Sequence, residues 1–483
     1  MRQYLILDVG TSSVRAALID ETLRILRLET ARRTAPALFD AEAEWALLRG
    51  LMRAAASGAG ELAGVAASAL LGWVGADACG NAVTPCFTYM HACPEKFTAS
   101  RWDAEEVYRV CRRAPAPESG CFQFARIKAC DPETYGRTAA FLSLKDFING
   151  KLTGVFTTDA TTAAYTLLYD VEAGRWSTRA IEALELDREK LPPLSVPGAA
   201  LAPLSPALCR ELGLQQAPPV AVGSVDGSTG ILGAGGLEEG DVVSVMGTTD
   251  VFFAVQAHPC GDRTRRLLVN PHVAAGRWLI GGPMGMYGGA LDWFSRDLLG
   301  GSRPLPELDA LADAVPPGSE GVTFLPTLAG ERTPFWRPAV EGTVRGLRSC
   351  HRAEHLHRAI MEANCYANRR VLDLVRENGL AARRVLAIGG GAASSVWLQM
   401  KADVLGLPVF RAAVKEASLA GACMLAMQAA GTSLSELPRP GVEAEFAPRP
   451  QTAARYDALY QRFLADHEAM AALYDGGAFQ NLC

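Results

Sequence analysis

A short sequence pattern occurs twice in this chain and constrains its fold more than any other feature. Leu5–Ile19 reads LILDVGTSSVRAALI and Val242–Val255 reads VVSVMGTTDVFFAV, at a constant offset of 237 residues. Each copy has an apolar run, Gly-Thr, a hydroxyl residue and a second apolar run, which predicts strand, tight turn and strand, with a glycine free to adopt positive φ. One such turn indicates only a hairpin, whereas two matched copies half a chain apart favour a duplicated fold with its turns facing one another.

The chemistry of the two turns suits a polyphosphate. Small residues leave backbone N–H groups accessible, and Cβ bulk would hold an anion away from those donors. The candidate phosphate-binding residues are Gly10, Thr11, Ser12, Ser13 and Arg15 in the first copy and Gly247, Thr248 and Thr249 in the second. Arg15 is the weaker candidate, as a source of nearby charge.

The two copies differ at one informative position. The first has Asp8 where the second has Val245, so a carboxylate stands beside only one of the turns. Because Mg²⁺ bound to nucleotide phosphates takes one or two carboxylates and keeps several waters, Asp8 is predicted to be a ligand of the metal or of its water.

Length and composition limit the class of protein. A chain of 483 residues is too long for one ordinary core, so we expect two domains or slightly more. Its 47 basic and 52 acidic residues show no block of like charge, which argues against nucleic-acid binding as the main function. The start MRQYLILDVG lacks the features of a signal peptide, and the twelve cysteines have no zinc or disulfide spacing. We therefore expect a soluble cytoplasmic protein without membrane contact.

Strand and helix patterns alternate along both halves, which predicts an α/β class. Helical pieces are predicted at Glu42–Ala56, Glu133–Asn149, from near Leu291, at His351–Val375 and at Thr452–Tyr474, and strands at Val65–Ala69, Val220–Val225 and Arg384–Ile388. The polar junction Leu237–Asp241 predicts a boundary between domains 1–236 and 237–483. A glycine turn, Gly389, Gly390, Gly391, Ala392, Ala393 and Ser394, leads from a strand into a helix and suits the phosphate or ribose of a nucleotide. It is not GxGxxG, and the chain has no P-loop motif.

Asp226 follows the strand Val220–Val225, at the position where open α/β sheets carry reactive groups. The alternative is that Asp226 only caps the next helix. Phosphoryl transfer needs positioned phosphates, neutralised charge and a group that accepts the proton of the nucleophile, and Asp226 is the candidate acceptor, for which an ordinary pKa would suffice.

Motifs along nearly the whole chain carry a resemblance to one known family. They are Asp8–Arg15, Phe141–Asp146, Leu152–Gly154, Thr158–Asp159, Asp226–Gly235, Gly247–Thr249, Gly330–Trp336 and Gly389–Gly406. The chain resembles the FGGY family of carbohydrate kinases, in the actin/sugar-kinase superfamily. The resemblance implies an α/β fold of two ribonuclease-H-like (actin-like ATPase) domains with a central interdomain cleft, with ATP and Mg²⁺ as cofactors and a homodimer as a possible state. It implies that Asp226 is the general base, that Asp8 supports Mg²⁺, that both Gly-Thr turns hold phosphates and that the 389–394 turn holds the nucleoside.

The resemblance is weakest where the acceptor would be recognised. Family members that phosphorylate xylulose typically carry Gln-Met-His-Gly and then Trp-Asn-Asp-Gly-Arg, where this chain has Ala69-Leu-Leu-Gly72 and Tyr89-Met-His-Ala-Cys93. A site without those hydrogen-bonding groups should reject the hydroxyls that they bind, so xylulose is not the predicted substrate. Tyr89, His91 and Asp226 are the candidate substrate contacts, although His91 also fits a purely structural role.

The leading hypothesis is an ATP-dependent kinase that phosphorylates a hydroxyl of a sugar, polyol or sugar acid. One alternative is a non-catalytic sugar sensor on a kinase scaffold, but a pure binder needs neither Asp8 nor Asp226. Another is an actin-like or chaperone-like ATPase without a sugar substrate, which leaves the motifs at 330–336 and 389–394 unexplained.

Overall fold

The structure is a computed structural model that describes residues 1–33, 36–98, 102–337 and 339–475. The chain divides into two compact units. Unit 1 comprises Met1–Gly235, Asn270–Trp278 and Glu416–Pro440, and unit 2 comprises Gly236–Val269, Leu279–Lys415 and Gly441–Cys483.

Strands and helices alternate through most of the described chain. The strands are β1 (Gln3–Val9), β2 (Ser13–Asp20), β3 (Ile25–Arg32), β4 (Leu38–Phe39), β5 (Leu62–Ala69), β6 (Gly72–Ala76), β7 (Cys86–Thr88), β8 (Ala140–Ser143), β9 (Thr158–Asp159), β10 (Tyr169–Asp170), β11 (Arg175–Trp176), β12 (Leu194–Ser195), β13 (Ala200–Pro203), β14 (Pro219–Ala221), β15 (Ser224–Val225), β16 (Asp241–Met246), β17 (Asp250–Gln256), β18 (Leu268–Pro271), β19 (Trp278–Pro283), β20 (Thr323–Leu325), β21 (Thr343–Arg345), β22 (Arg384–Ile388), β23 (Val409–Ala412) and β24 (Val442–Phe446).

The α-helices are α1 (Ala41–Ala56), α2 (Glu95–Thr98), α3 (Ala104–Cys111), α4 (Gly120–Cys130), α5 (Pro132–Arg137), α6 (Leu144–Thr153), α7 (Ala160–Ala164), α8 (Thr178–Ala183), α9 (Pro206–Leu212), α10 (Asp226–Gly233), α11 (Tyr287–Trp293), α12 (Leu305–Asp313), α13 (Ala353–Glu377), α14 (Ser395–Leu405), α15 (Ala417–Ala429) and α16 (Pro450–Asp475). Short 3₁₀ turns occur at Arg188–Lys190, Ser319–Gly321, Gly390–Ala393 and Leu434–Glu436, and a π-helical turn at Phe294–Leu298.

The two main sheets have the same topology. In unit 1 the strand order β3-β2-β1-β5-β14-β13 begins with antiparallel pairs, and β5 then runs parallel to β1. The second main sheet has the order β19-β17-β16-β22-β23-β24, with β16 and β17 antiparallel and β22 parallel to β16, and β18 adds a further edge strand. Each sheet ends in an antiparallel pair, β14 with β13 and β23 with β24. The duplication predicted from the two Gly-Thr turns is therefore a duplication of a whole sheet.

Both predicted hairpins form, but neither turn needs a left-handed glycine. Gly10 and Gly247 do not have positive φ, contrary to the expectation from the sequence. The first turn closes through a 2.9 Å hydrogen bond from the Gly10 N–H to the Ser13 carbonyl. A Cβ on Gly10 or Gly247 would meet only one carbonyl oxygen within 4 Å, at 3.4 Å and 3.3 Å respectively. The absence of a side chain therefore keeps the outer face of each turn open.

Three predicted elements differ from the structure. The predicted helix Glu133–Asn149 consists of α5, β8 and α6, because the four residues of β8 pair with Trp73, Val74, Gly75 and Ala76 of β6. The helix predicted to start near Leu291 begins at Tyr287. The predicted strand Val220–Val225 is interrupted between β14 and β15, where a Cβ on Gly223 would lie 1.8 Å from the Ala67 carbonyl oxygen.

The sequence predicted domains 1–236 and 237–483, whereas unit 1 comprises Met1–Gly235 together with two later segments, Asn270–Trp278 and Glu416–Pro440. The second of them carries α15, which packs on β1, β5 and α10. Its core residues, among them Leu419, Ala422, Cys423 and Ala426, are fully or almost fully buried. The apolar face of the unit 1 sheet is thus covered by a helix from late in the chain, which no local pattern could have indicated. The terminal helix α16 packs on α13, α14 and β20 of unit 2.

Within the part of the chain that the structure describes, no helix is both long and apolar enough to cross a bilayer.

Candidate active site

The first Gly-Thr turn lies at the carboxyl end of β1. Ser12 is exposed and Gly10 and Thr11 are half-buried, so the turn is accessible from outside the sheet. Arg33 follows β3 and its Nη2 donates to the Gly10 carbonyl at 2.8 Å. Arg33 was not among the predicted site residues, because its position beside the turn depends on the pairing of β2 with β3.

Asp8 lies on β1 directly before this turn and is 3% exposed. Its Oδ2 accepts a 3.2 Å hydrogen bond from Ser418 Oγ, and its Oδ1 has no hydrogen-bond partner in the described part of the chain. Burial raises the pKa of Asp8 to about 7, the negative charge of Asp226 adds to this, and Arg15 opposes it from 3.9 Å. Arg15 is itself paired with Glu416 and donates to Ser13 Oγ at 2.9 Å.

Asp8 fits the role of a metal ligand beside bound phosphates. Its Oδ1 has no hydrogen-bond partner among the described residues, and burial raises its pKa despite the nearby Arg15, so a cation at Oδ1 would stabilise the ionised carboxylate. In the described ranges no cluster of three or more His, Cys, Asp and Glu side chains could hold a metal ion. Mg²⁺ on nucleotide phosphates needs only one or two carboxylates, because phosphates and water supply its other ligands, and Asp8 could be one of them.

Asp226 lies at the carboxyl end of the same sheet. Asp8 pairs with Ser68 of β5, and Ser68 pairs with Ser224 of β15, so these three residues form one row across the sheet. Asp226 lies two residues after Ser224 in the chain. Neighbouring strands of a sheet are about 4.8 Å apart. The sheet therefore directs both carboxylates to one edge of unit 1.

The Asp226 side chain is partly exposed at the first turn of α10, where Val225 is the N-cap. Its Oδ1 accepts from the Gly227 N–H at 2.7 Å, and burial raises the pKa of Asp226 above its ordinary value. Val225 rather than Asp226 is the N-cap of α10, but the Asp226 carboxylate does accept a hydrogen bond from the second amide of this helix, so the capping alternative stays open.

Close helix packing fixes the position of α10. A Cβ on Gly421 of α15 would lie 1.8 Å from the Thr229 carbonyl oxygen, and one on Gly233 would lie 1.9 Å from the Ala417 carbonyl oxygen. Only glycine permits this approach at either position, so α15 holds the helix that carries Asp226.

Lys145, Asp146 and Asp159 form a buried network that contacts the strand leading to Asp226. Lys145 Nζ lies 2.5 Å from Asp146 Oδ1 and 2.7 Å from Asp159 Oδ2, and all three side chains are inaccessible to solvent. Ser224 Oγ donates to Asp159 Oδ1 at 3.1 Å, which ties this network to the strand that ends at Asp226. Lys145 keeps the pKa of Asp159 low despite burial. We interpret this motif as support for the position of Asp226.

The second Gly-Thr turn and the 389–394 turn lie side by side in unit 2. Val245 pairs with Ile388, so β16 and β22 end together. A Cβ on Gly389 would lie 2.8 Å from the Met246 carbonyl oxygen, one on Gly391 would lie 2.9 Å from Met246 Cβ, and Gly389 has a φ of +89°. Thr248, Thr249, Gly389 and Gly390 are exposed. Two predicted nucleotide segments thus form one accessible edge.

Two predicted residues of the 389–394 turn have structural partners. Ser394 Oγ accepts from the Trp397 N–H at 3.2 Å as the N-cap of α14. Ala392 is buried and its carbonyl accepts from Arg411 Nε at 2.7 Å. Gly389, Gly390 and Ala393 are the exposed residues of this turn.

A buried cation lies under the second Gly-Thr turn. Lys401 Nζ donates to Ser244 Oγ at 2.9 Å and to Asn364 Oδ1 at 3.1 Å, and also to Asn368 Oδ1. The amides of both asparagines donate to Asp250 Oδ2, at 2.6 Å and 2.9 Å. Asp250 directly follows Thr249. The network was not predicted, since its members come from three distant segments of the sequence.

The predicted substrate contacts lie beside the first turn in unit 1. Tyr89 OH is 3.2 Å from Thr11 Oγ1, and the Tyr89 N–H donates to the Leu71 carbonyl at 3.0 Å. The two segments that depart from the xylulose pattern are therefore neighbours. His91 Nδ1 lies 3.0 Å from Gln123 Nε2, and burial lowers the pKa of His91. A neutral, hydrogen-bonded imidazole fits a structural role.

The chain is similar to known proteins over most of its length. Residues 103–233 match the N-terminal domain of the FGGY family of carbohydrate kinases, and residues 242–430 match its C-terminal domain. The xylulose kinase of Escherichia coli (strain K12) is 32% identical over 337 residues, which cover 69% of this chain and 69% of that enzyme. The chain belongs to the FGGY family of carbohydrate kinases.

Other relatives extend the comparison. The gluconokinase of Bacillus subtilis (strain 168) is 27% identical over 366 residues, covering 72% of this chain and 70% of that enzyme. The crystal structure of xylulose kinase from Rhodospirillum rubrum superposes with a TM-score of 0.90 at 26% identity and covers 98% of this chain and 100% of that one. The fold is the two-domain actin-like ATPase fold of these kinases. This FGGY kinase is thus a carbohydrate kinase that uses ATP and acts on a sugar or sugar acid.

Proposed function

We propose that this FGGY kinase transfers the γ-phosphoryl group of ATP to a hydroxyl of a sugar, polyol or sugar acid, with Asp226 as general base and Asp8 as the Mg²⁺ ligand. The observation that carries the proposal is the pair of carboxylates that the row Asp8, Ser68 and Ser224 directs to one sheet edge beside an open Gly-Thr turn. A module that only binds sugar would need neither carboxylate.

Each unit has a separate part in the reaction. Unit 2 binds the nucleotide through the exposed Gly247–Thr249 turn and the adjacent glycines Gly389–Gly391. Unit 1 contributes the Gly10–Ser13 turn and Asp8, and it binds the acceptor. Backbone N–H groups of turns without Cβ bulk are suited to phosphate oxygens. Bound at Asp8, Mg²⁺ would neutralise charge on the phosphates.

Asp226 accepts the proton that the acceptor hydroxyl loses. As the acceptor oxygen bonds to the γ-phosphorus, the bond from that phosphorus to the ADP oxygen breaks and the proton passes to a carboxylate oxygen of Asp226. Burial raises the pKa of Asp226, which strengthens it as a base. Its Oδ1 is oriented by the Gly227 N–H, so the other oxygen is available for the acceptor.

The test compares Asp226→Asn with the exposed control Asp313→Asn at the end of α12. We expect Asp226→Asn to lower turnover at least about 100-fold, as loss of a general base does, while ADP affinity stays within about twofold. The control should retain wild-type turnover. Near-normal turnover by Asp226→Asn would remove Asp226 from this role.

A further inference from the structure

Unit 1 contains a buried arginine that the reaction described above does not use. Arg113 follows α3 and is 6% exposed. Its guanidinium carbon lies 4.1 Å from the centre of the Tyr165 ring, and its Nη2 donates to Asn270 Oδ1. Asn270 is fully buried and belongs to unit 1.

The charge of Arg113 lacks a matching carboxylate. Among the residues that the structure describes, no acidic side chain forms an ion pair with it, and Glu118 acts only as a more distant charge. The Tyr165 side chain hydrogen-bonds to both Arg113 and Asn270. Arg113 Nε and Asn270 Nδ2 remain buried donors without a hydrogen-bond partner among the described residues. A buried cation that no anion compensates destabilises the folded protein.

The cluster of Arg113, Asn270 and Tyr165 lies near the general base. Tyr165 ends α7, and α7 packs against β15, the strand that leads into Asp226. Asp159, the N-cap of α7, is bonded to Ser224 of that strand. In agreement with this placement, the charge of Asp226 contributes to the raised pKa of Tyr165.

We propose that Arg113 and Asn270 bind the carboxylate of the acceptor, so that the preferred substrate is a sugar acid. This inference rests on the proposed function, since it concerns the acceptor of the same reaction. A guanidinium with a neighbouring amide N–H matches the two oxygens of a carboxylate, and charge-assisted hydrogen bonds are about twice as strong as neutral ones. A neutral sugar would leave the cation uncompensated, which gives selectivity against it.

The experiment compares kcat/KM for acid and alcohol pairs of equal carbon chain, gluconate with glucitol and xylonate with xylitol, together with glucose 6-phosphate. We expect the wild-type enzyme to prefer each acid at least about 100-fold. Arg113→Gln should remove most of this preference through KM for the acid, and Arg113→Lys should restore part of it. The matched control is Arg112→Gln, because Arg112 pairs with Glu172 at the surface.

A second variant separates recognition from a structural role. Asn270→Asp supplies a carboxylate to Arg113 from within the protein, so it should keep or raise the unfolding midpoint while it abolishes the acid preference. A purely structural Arg113 predicts instead that acids and alcohols lose activity equally in every Arg113 variant.

The outcomes distinguish the two proposals. Equal or better turnover of the alcohols, or preference for the sugar phosphate, overturns the sugar-acid inference and leaves the kinase function standing. If no compound is phosphorylated, the proposed function fails, and calorimetric binding of gluconate that Arg113→Gln does not weaken then overturns this inference as well.

Discussion

At the scale of single residues, the coupling between Asp8 and Asp226 is the main electrostatic feature of the candidate site. Each carboxylate is raised in pKa by burial, and the charge of Asp226 raises the pKa of Asp8 further. The consequence is that Asp8 holds a proton in the folded protein between its unfolded pKa near 3.9 and about 7. Deprotonation of Asp8 therefore lowers the free energy of unfolding as the pH rises through that window. A cation bound to the ionised Asp8 would restore the lost stability.

The first prediction concerns the pH dependence of Mg²⁺ binding. Because Mg²⁺ requires the deprotonated Asp8, its apparent affinity in the presence of ADP should fall about tenfold per pH unit below 7 and level off above it. Calorimetric titrations from pH 5.5 to 8.5 measure this. Asp8→Asn should remove the dependence, and Asp226→Asn should move its midpoint to lower pH. An affinity that does not change with pH in the wild-type protein would exclude Asp8 as the ligand.

At the scale of elements, close packing and buried polar networks hold the segments of the candidate site in place. The helix α10 approaches α15 through Gly233 and Gly421, and the turn before Asp250 rests on the network around Lys401. Neither contact involves a neighbour in the sequence. The position of each functional turn thus depends on helices from other parts of its own unit.

The packing of α10 on α15 gives a second prediction. Gly421→Ala places a Cβ against the Thr229 carbonyl oxygen and should destabilise unit 1 by about 2–3 kcal/mol or more, with a loss of turnover. Gly50 lies inside α1, where a Cβ would have nothing within 4 Å, so Gly50→Ala should stabilise by about 0.5–1 kcal/mol. Unfolding midpoints in urea compare the two variants. Equal effects would mean that α10 and α15 are not in close contact.

The buried network of unit 2 gives a third prediction. Lys401→Met leaves Asp250 and two asparagine oxygens without their cation and should cost about 3 kcal/mol or more. Adding Asp250→Asn removes the uncompensated charge, so the double variant should lose less stability than the sum of the two single variants. Strict additivity in thermal unfolding would contradict a shared network.

At the scale of the whole molecule, each unit is built from segments that are not consecutive in the sequence. Unit 1 takes Glu416–Pro440 from late in the chain, and α15 covers the sheet formed by β1 and β5.

A fourth prediction concerns fragments of unit 1. A fragment of residues 1–235 should expose apolar sheet surface, bind a hydrophobic dye and melt without cooperativity, whereas joining residues 416–440 to it through a flexible linker should restore a cooperative transition. Cooperative melting of the shorter fragment alone would show that α15 is dispensable.

The sequence predicted those parts of the molecule that depend on local pattern. The hairpins around Gly10 and Gly247 and the strand Arg384–Ile388 follow from short apolar runs interrupted by glycine, and they occur where predicted. Helix α15 in unit 1, the strand β8 and the Lys401 network depend on contacts between distant segments, and one sequence contains no local signal for such contacts. For the same reason, the sequence alone does not indicate Arg113 as a candidate site residue. Its contacts with Asn270 and Tyr165 join distant segments of the chain.

The most direct test of the central claim is the stoichiometry of phosphoryl transfer. Incubation with Mg-ATP and a panel of sugars, polyols and sugar acids, followed by mass spectrometry of the acceptor and measurement of ADP, determines whether each ADP formed has a phosphorylated acceptor. We predict one phosphorylated acceptor per ADP for at least one compound, at a rate far above that of ATP hydrolysis without acceptor. ADP release that no compound accelerates, with no phosphorylated product, would contradict the account.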